Sequence, residues 1–292
     1  MTNLADKLRY LVQIGGRSSF VLISRRILGK KSRYFRKYQN YFKGRGIEIA
    51  GPSSVFKGNR YFPIYSIAAS LDNVNYSART RWHGDMGEGG NFVFDPNRRA
   101  GKQIINEAGE LTEVASKAYD FLISNHMLEH SANPIKVLFE WKRVVRDDGI
   151  LLIVLPHKDG TFDHLRPLTT LQHLIEDYQG NMAENDTTHI PEILELHDFR
   201  RDFSNPNFEK LTEWMSNNRE TRGAHQHVFN GLVAAQMVDY AGYEILDIEI
   251  SLPSDIFIIL KNRPTTEIFR NDAFLDNKAK FLEVSPFLSD KY

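Results

Sequence analysis

Two stretches of this chain concentrate side chains that could do chemistry. The first is Tyr119-Asp120-Phe121-Leu122-Ile123-Ser124-Asn125-His126-Met127-Leu128-Glu129-His130, where an apolar run breaks into polar and titratable groups. The second begins at His157-Lys158-Asp159-Gly160-Thr161-Phe162-Asp163-His164. It continues through His173, Asp177, Glu184, Asp186, His189 and His197 to Asp198, with His225 and His227 beyond. Most of the chain's ten histidines fall in this second stretch. An imidazole titrates near neutrality and can take a proton from a hydroxyl. His157 is the first candidate for such a base, because it directly follows an apolar run; His126, Asp163 and His164 come next. Three readings stand side by side. The stretch lines an acceptor pocket with one histidine as base, it holds a divalent cation that orients two substrate hydroxyls, or it consists of ordinary surface and capping residues. No pair has the close His-Glu-x-x-His spacing of a metal site, so no metal ligand is assigned. A third feature is Gly46-Ile47-Glu48-Ile49-Ala50-Gly51-Pro52-Ser53-Ser54. A glycine turn after an apolar segment lets backbone approach a ligand closely, although a single glycine stands here in place of the full Gly-x-Gly-x-x-Gly pattern.

These groups need elements to hold them. Residues 1–43 read as one or two helices with a break at Gly15-Gly16. Residues 47–50 read as the first strand, followed by an apolar stretch at 64–69, a glycine-rich loop at 84–90 and a short strand at 104–105. Residues 119–124 form a strand. Pro134 then opens an amphipathic helix whose apolar positions Ile135, Val137, Leu138, Trp141, Val144 and Val145 recur at helical spacing. Asp147-Asp148-Gly149 ends it. Residues 150–155 are a continuous apolar run, as expected of a strand covered on both faces, and strand-helix-strand in this order makes a right-handed βαβ unit. Residues 233–241 read as a helix, and 243–250 with 256–260 as an antiparallel pair. Ligands of an open parallel sheet sit outside the carboxyl ends of its strands, which here are residues 50–54, 125–126 and 156–158.

Taken in order, Glu48 and Gly51, then Tyr119-Asp120-Phe121 through Ser124, His126, Leu128-Glu129-His130, then Asn133-Pro134, the helix, Arg143-Val144, Gly149 and the run to Pro156 resemble the class I S-adenosylmethionine (SAM)-dependent methyltransferases. Within them the pattern is similar to the bacterial ubiquinone and sugar methyltransferases. The resemblance covers roughly residues 46–157, and agreement of several unlinked features is what gives it weight. It implies an α/β, Rossmann-like fold: a mostly parallel sheet with an antiparallel last strand, a helical insertion and an N-terminal helical extension. It also implies roles. Glu48, Gly51 and Ser53 belong to the turn against the methionine part of SAM. Asp72 takes the ribose hydroxyls at the end of the second strand. Glu107 and Ala108 lie beside the adenine, and Asn125 and His126 lie under the sulfonium. Glu129 and His130 hold the loop and cap the next helix. Asp163-His164-Leu165-Arg166-Pro167 and the later Glu184, Asp186 and His189 resemble methyltransferases of bacterial surface-glycan synthesis. The expected activity is therefore O-methylation of a hydroxyl on a sugar or glycoconjugate. Methylation of another small molecule, or a catalytically silent SAM-fold binding module, are the rivals. The absence of an Asn/Asp-Pro-Pro-Tyr stretch leads us to expect no nucleic-acid partner.

The 292 residues are 41% hydrophobic, enough for a substantial core. They divide into a basic extension at 1–43, a methyltransferase domain at 44–262 with an insertion at 157–230 forming an acceptor pocket or cap, and a C-terminal extension at 263–292. Cysteine is absent, which excludes disulfides and thiolate chemistry. No apolar run is long enough to span a bilayer, so a cytoplasmic enzyme is expected. The balanced charge hides an asymmetry: Lys7, Arg9, Arg17, Arg25, Arg26, Lys30, Lys31, Arg33, Arg36, Lys37, Lys43 and Arg45 face only Asp6. Such a leader either packs on the acidic body or touches the inner face of a membrane, where it would meet a lipid-linked sugar acceptor.

Overall fold

The structure is a computed structural model describing residues 31–80, 84–85, 90–202, 204 and 207–291, together with 16, 19–21 and 23. The basic leader ends in helix α1 (Arg33–Tyr38), whose first turn is capped by the Ser32 side chain. Strands β1 (Arg45–Ile49) and β2 (Ser70–Asn75) follow. Four shorter strands come next: β3 (Arg79–Thr80), β4 (Gly84–Asp85), β5 (Asn91–Phe92) and β6 (Gly101–Ile105). Strand β7 (Tyr119–Asn125), helix α2 (Pro134–Val144) and strand β8 (Val145–Pro156) form the central βαβ unit. The insertion then contributes α3 (Leu171–Gln179), α4 (Ile190–Leu196), α5 (Phe208–Ser216) and α6 (Asn218–Thr221). Helix α7 (Gly231–Tyr240), strands β9 (Glu244–Ser251) and β10 (Asp255–Lys261), and the short helices α8 (Asp272–Leu275) and α9 (Lys280–Glu283) complete the chain.

The main sheet runs β5-β6-β2-β1-β7-β8-β10-β9. Strands β6, β2, β1, β7 and β8 are parallel, and β10 lies antiparallel between β8 and β9. This is the doubly wound order with its reversal between β1 and β7, the point where such sheets bind ligands. The expected antiparallel late pair is present, and so is the central βαβ unit. The apolar run of β8 serves both faces alternately. Leu151, Ile153 and Leu155 join Ile47, Ile49 and Leu122 under α2 and α7. Ile150, Leu152 and Val154 join Phe121, Ile123 and Phe257 on the opposite face.

Trp141 anchors the first of these cores from α2 and is fully buried. Replacing a buried tryptophan with alanine removes its transfer energy and leaves a cavity, so Trp141→Ala should cost about 3–5 kcal/mol. Urea unfolding checks this; a loss within experimental error would mean that α2 is not anchored through that ring. The opposite face is covered mainly by aromatic rings, among them Phe35, Tyr38, Phe42, Phe56 and Phe62. Phe62 stacks on Phe257 with centroids 4.9 Å apart. The end of the leader is therefore docked. Ser32 donates to Glu249 at 2.6 Å and Lys37 to Asp247 at 2.7 Å. The expected helical break at Gly15-Gly16, like most of residues 1–30, lies outside the described residues.

Two sequence expectations change. The apolar stretch at 64–69 is a short 3-10 turn with an irregular continuation, and β2 begins only at Ser70. The glycine-rich loop contributes Gly84 and Asp85 to a small antiparallel pair with β3. Among the described residues no helix is long and apolar enough to cross a membrane.

Candidate functional site

The carboxyl ends of β1, β2, β6, β7 and β8 open into a cavity of about 750 Å³, walled on its far side by residues from 160 to 225. That lies in the upper part of the range for small-molecule sites, roughly 300–1,000 Å³, and leaves room for two ligands together.

The turn after β1 is built from beneath. The Glu48 side chain is fully buried. It accepts from the Ser53 backbone N–H at 2.9 Å and from the Tyr65 hydroxyl at 2.7 Å. Gly51 N–H donates to Asn73 Oδ1 at 2.9 Å, and the Gly51 carbonyl accepts from the Asn73 and Asn75 amides. A Cβ on Gly51 would stand 2.3 Å from the Glu48 carboxyl carbon, so glycine is needed for close approach to that group. Ala50, Pro52 and Ser53 face the cavity, whereas Glu48 and Gly51 hold the turn from behind.

Burial pushes the Glu48 carboxyl up to about 7, against the pull of Tyr65 and Ser53. The unfolded chain releases this proton near its ordinary value of 4.5, the native protein only near 7. The native state therefore holds more protons across that window, and stability falls as pH rises through it. We expect unfolding midpoints to decline between those pH values, and Glu48→Gln to flatten the decline. Equal slopes in chemical denaturation of the two proteins would contradict this.

Asp72 does not reach the cavity. It lies mid-strand in β2, where its carboxylate accepts from Tyr119 Oη at 2.8 Å, Arg45 Nη2 at 3.0 Å and Lys102 N at 2.8 Å. The strand ends instead at Asn75, and Asn75 with Tyr76 takes the wall position expected of Asp72. Glu107 and Ala108, after β6, do line the cavity. Burial raises the Glu107 carboxyl despite the neighbouring Arg222. Arg222 donates to Glu107 at 2.6 Å and to Glu184 at 2.7 Å, joining body to insertion, and lies 5.2 Å over the Tyr76 ring. Asn125 and His126, after β7, also line it. His126 adopts a left-handed backbone at φ 49° and points Nε2 to within 3.2 Å of Asp255.

The candidates for a base are rearranged. His157 is fully buried: Nδ1 accepts from Asp159 N at 3.2 Å, Nε2 donates to Asp290 at 3.0 Å, and the ring stacks on Phe287. It holds the C-terminal extension and has no nitrogen left for a substrate. His164 donates to Asp198 at 2.9 Å and does not line the cavity. Asp163 is buried behind the wall, where it accepts from Arg166 at 2.9 Å and from His225 Nδ1 at 2.5 Å. Burial alone would raise its carboxyl, but His225 and Arg166 hold it well below the ordinary carboxylate range.

His225 faces the cavity, together with Glu129 and His130. One ligand atom from each of these three lies within 4.8 Å of the others. His130 Nδ1 donates to the Ala224 carbonyl at 3.0 Å. Glu129 is fully buried, and among the described residues neither of its carboxylate oxygens makes a hydrogen bond. Burial raises Glu129 and depresses His130. Sequence reasoning gave Glu129 and His130 a loop-holding role and left His225 among the general histidines. Asp163 and His225 are 62 residues apart, so no local spacing could have paired them.

A family model described as "Methyltransferase domain" matches residues 90–248. No curated protein matches the chain. Among solved structures, the chain is similar to an S-adenosylmethionine dependent methyltransferase from Mesorhizobium loti (TM-score 0.44, 11% identity, 78% of this chain and 95% of that one). It is also similar to SAM-dependent methyltransferases from Methanosarcina mazei (TM-score 0.42, 12% identity, 78% and 97%) and Aquifex aeolicus (TM-score 0.40, 10% identity, 78% and 88%).

Proposed function

The chain belongs to the methyltransferase-domain family and is a SAM-dependent methyltransferase; from that premise we propose that it methylates a hydroxyl of a sugar or glycoconjugate. The observation that carries this reading is the Asp163–His225 pair on the insertion's side of the cavity. SAM supplies an electrophilic methyl group, and a hydroxyl that attacks it must lose a proton. With Nδ1 donating to Asp163, His225 keeps Nε2 as the acceptor for that proton. The Asp163 carboxylate fixes the tautomer and stabilises the imidazolium that results. Residues of the body would hold the cofactor: Ala50, Pro52 and Ser53 by the turn, Asn75 and Tyr76 at the ribose, Glu107 and Ala108 near the base, Asn125 and His126 near the sulfur. To the same cavity the insertion offers Trp214, Arg201 and Asp202, an aromatic ring with charged donors and acceptors of the kinds that suit a sugar.

A second reading, favoured by Glu129 oxygens that make no hydrogen bond among the described residues, puts a divalent cation on Glu129, His130 and His225. Both imidazoles already engage Nδ1 elsewhere, which is how metal-binding histidines are oriented. Loss of turnover with a chelator, restored by magnesium or manganese, separates this reading from a metal-free base. The same proposal keeps the enzyme in the cytoplasm, with lipid-linked acceptors met at the membrane's inner face through residues 1–43.

The test is transfer of labelled methyl from SAM to a panel of sugars and glycoconjugates. A methyl ether survives mild alkali. Label released by alkali as from an ester, or transfer only to amines, would overturn the hydroxyl assignment.

A further inference from the structure

Away from the cavity, three histidines cluster together, two of them beside one buried aspartate. His173 and Asp177 lie four residues apart on α3, so consecutive turns place them on one face. His189 is the residue before α4, and His227 lies in the segment leading to α7. His173 Nε2 stands 3.2 Å from His189 Nε2 and 3.5 Å from Asp177 Oδ2. His227 Nε2 is 3.6 Å from the same oxygen. The three imidazoles present nitrogens that all lie within 4.8 Å of one another.

Two of these atoms are buried without a hydrogen bond. His227 is 1% exposed and Asp177 5%, yet among the described residues His227 Nε2 and Asp177 Oδ2 make no hydrogen bond. Native proteins leave few buried polar atoms in that state, and a cation between them would satisfy both. Tetrahedral zinc holds imidazole nitrogen at about 2.0–2.1 Å and carboxylate oxygen at about 2.0–2.2 Å, which sets neighbouring ligand atoms about 3.3–3.5 Å apart. Three of the six edges, at 3.2, 3.5 and 3.6 Å, are close to that spacing, and the three imidazole nitrogens all fall within 4.8 Å of one another. A set dominated by imidazole suits zinc better than magnesium or calcium, which take oxygen.

We propose that His173, His189 and His227 bind a structural zinc ion, with Asp177, which lies beside two of them, as its fourth ligand. Four protein ligands complete the shell of a structural site, and none of the four lines the cavity. The ion ties α3 and the start of α4 to the segment that carries His225. The His227 N–H also donates to the Glu129 carbonyl at 3.2 Å, so the same clamp fixes the backbone on both sides of the cavity's titratable cluster. Its role is to position the insertion, with no part in methyl transfer.

The experiment measures metal content of the full chain after incubation with zinc and dialysis, and the visible spectrum after cobalt(II) replacement. Wild type should retain one zinc per chain and show the intense absorption of tetrahedral cobalt. His227→Gln and His189→Gln should lose both, with a lower thermal midpoint. The half-buried His189 is the variant least able to disturb folding, and circular dichroism confirms its integrity. Glu129→Gln should keep zinc and the cobalt spectrum. Wild type without retained zinc, zinc retained by His189→Gln and His227→Gln, or zinc lost only from Glu129→Gln would each overturn the proposal; the last would move the ion to the cavity cluster.

Discussion

His225→Ala should lower turnover by about 10²–10⁴-fold, the usual contribution of a positioned proton acceptor, while S-adenosylhomocysteine binds as tightly as to wild type. The residue belongs to the insertion, and its Nδ1 is committed to Asp163 at 2.5 Å. Its loss removes the proton acceptor and leaves the turn after β1 untouched. Single-turnover assays with a hydroxyl acceptor, paired with calorimetric titration of S-adenosylhomocysteine, separate the two effects. Added imidazole should restore part of the turnover if proton removal is what was lost. Near-wild-type turnover would remove His225 from this role. Asp163→Asn is the less clean variant, because the buried Arg166 would lose a charged partner and a broken buried pair is costly in its own right.

Gly51→Val should have the second large effect, on cofactor affinity. Its Cβ would meet the Glu48 carboxyl at 2.3 Å and Asn73 Oδ1 at 2.8 Å. Relief requires Glu48 to move, which frees the Ser53 N–H and the Tyr65 hydroxyl that it holds. Overpacking of this kind costs about 1–3 kcal/mol, and a loss of 1.4 kcal/mol is about tenfold in affinity. If the displaced turn loses that much in binding, titration with S-adenosylhomocysteine should show affinity weakened by about fivefold to a hundredfold. Gly58→Ala is the control, since the nearest atom to a Cβ there is 3.6 Å away. Equal affinity in Gly51→Val and wild type would mean that the turn takes no part in binding the cofactor.

The fold was legible because its strongest signals are local. The run at 150–155 fits a strand buried on both faces, and the structure divides its residues alternately between two cores. Pro134 with its helical spacing marked α2. The rim of the site followed from the topology, which placed Ala50, Ser53, Asn125 and His126 on the wall. Errors arose where a single residue's facing decided the matter. Asp72 was assigned to the end of a strand whose true start is Ser70, so it fell on the wrong part of the strand. Pro156 lines the cavity and His157, the next residue, is buried against Phe287; alternation along extended backbone turns neighbours to opposite sides. The histidine of the insertion that we propose as base was hidden for a different reason. Its partner comes from the other end of a helical excursion, and such pairings are set by tertiary packing that no spacing encodes.

The insertion keeps a small apolar cluster of its own, formed by Ile193, Leu211, Met215 and Ala224. Substitutions distant from one another and without shared partners act nearly independently. The insertion's side of the cavity can therefore change while the sheet and its first turn stay as they are. On the proposed reading, a change of acceptor would need substitutions within only about seventy residues, at constant cofactor chemistry.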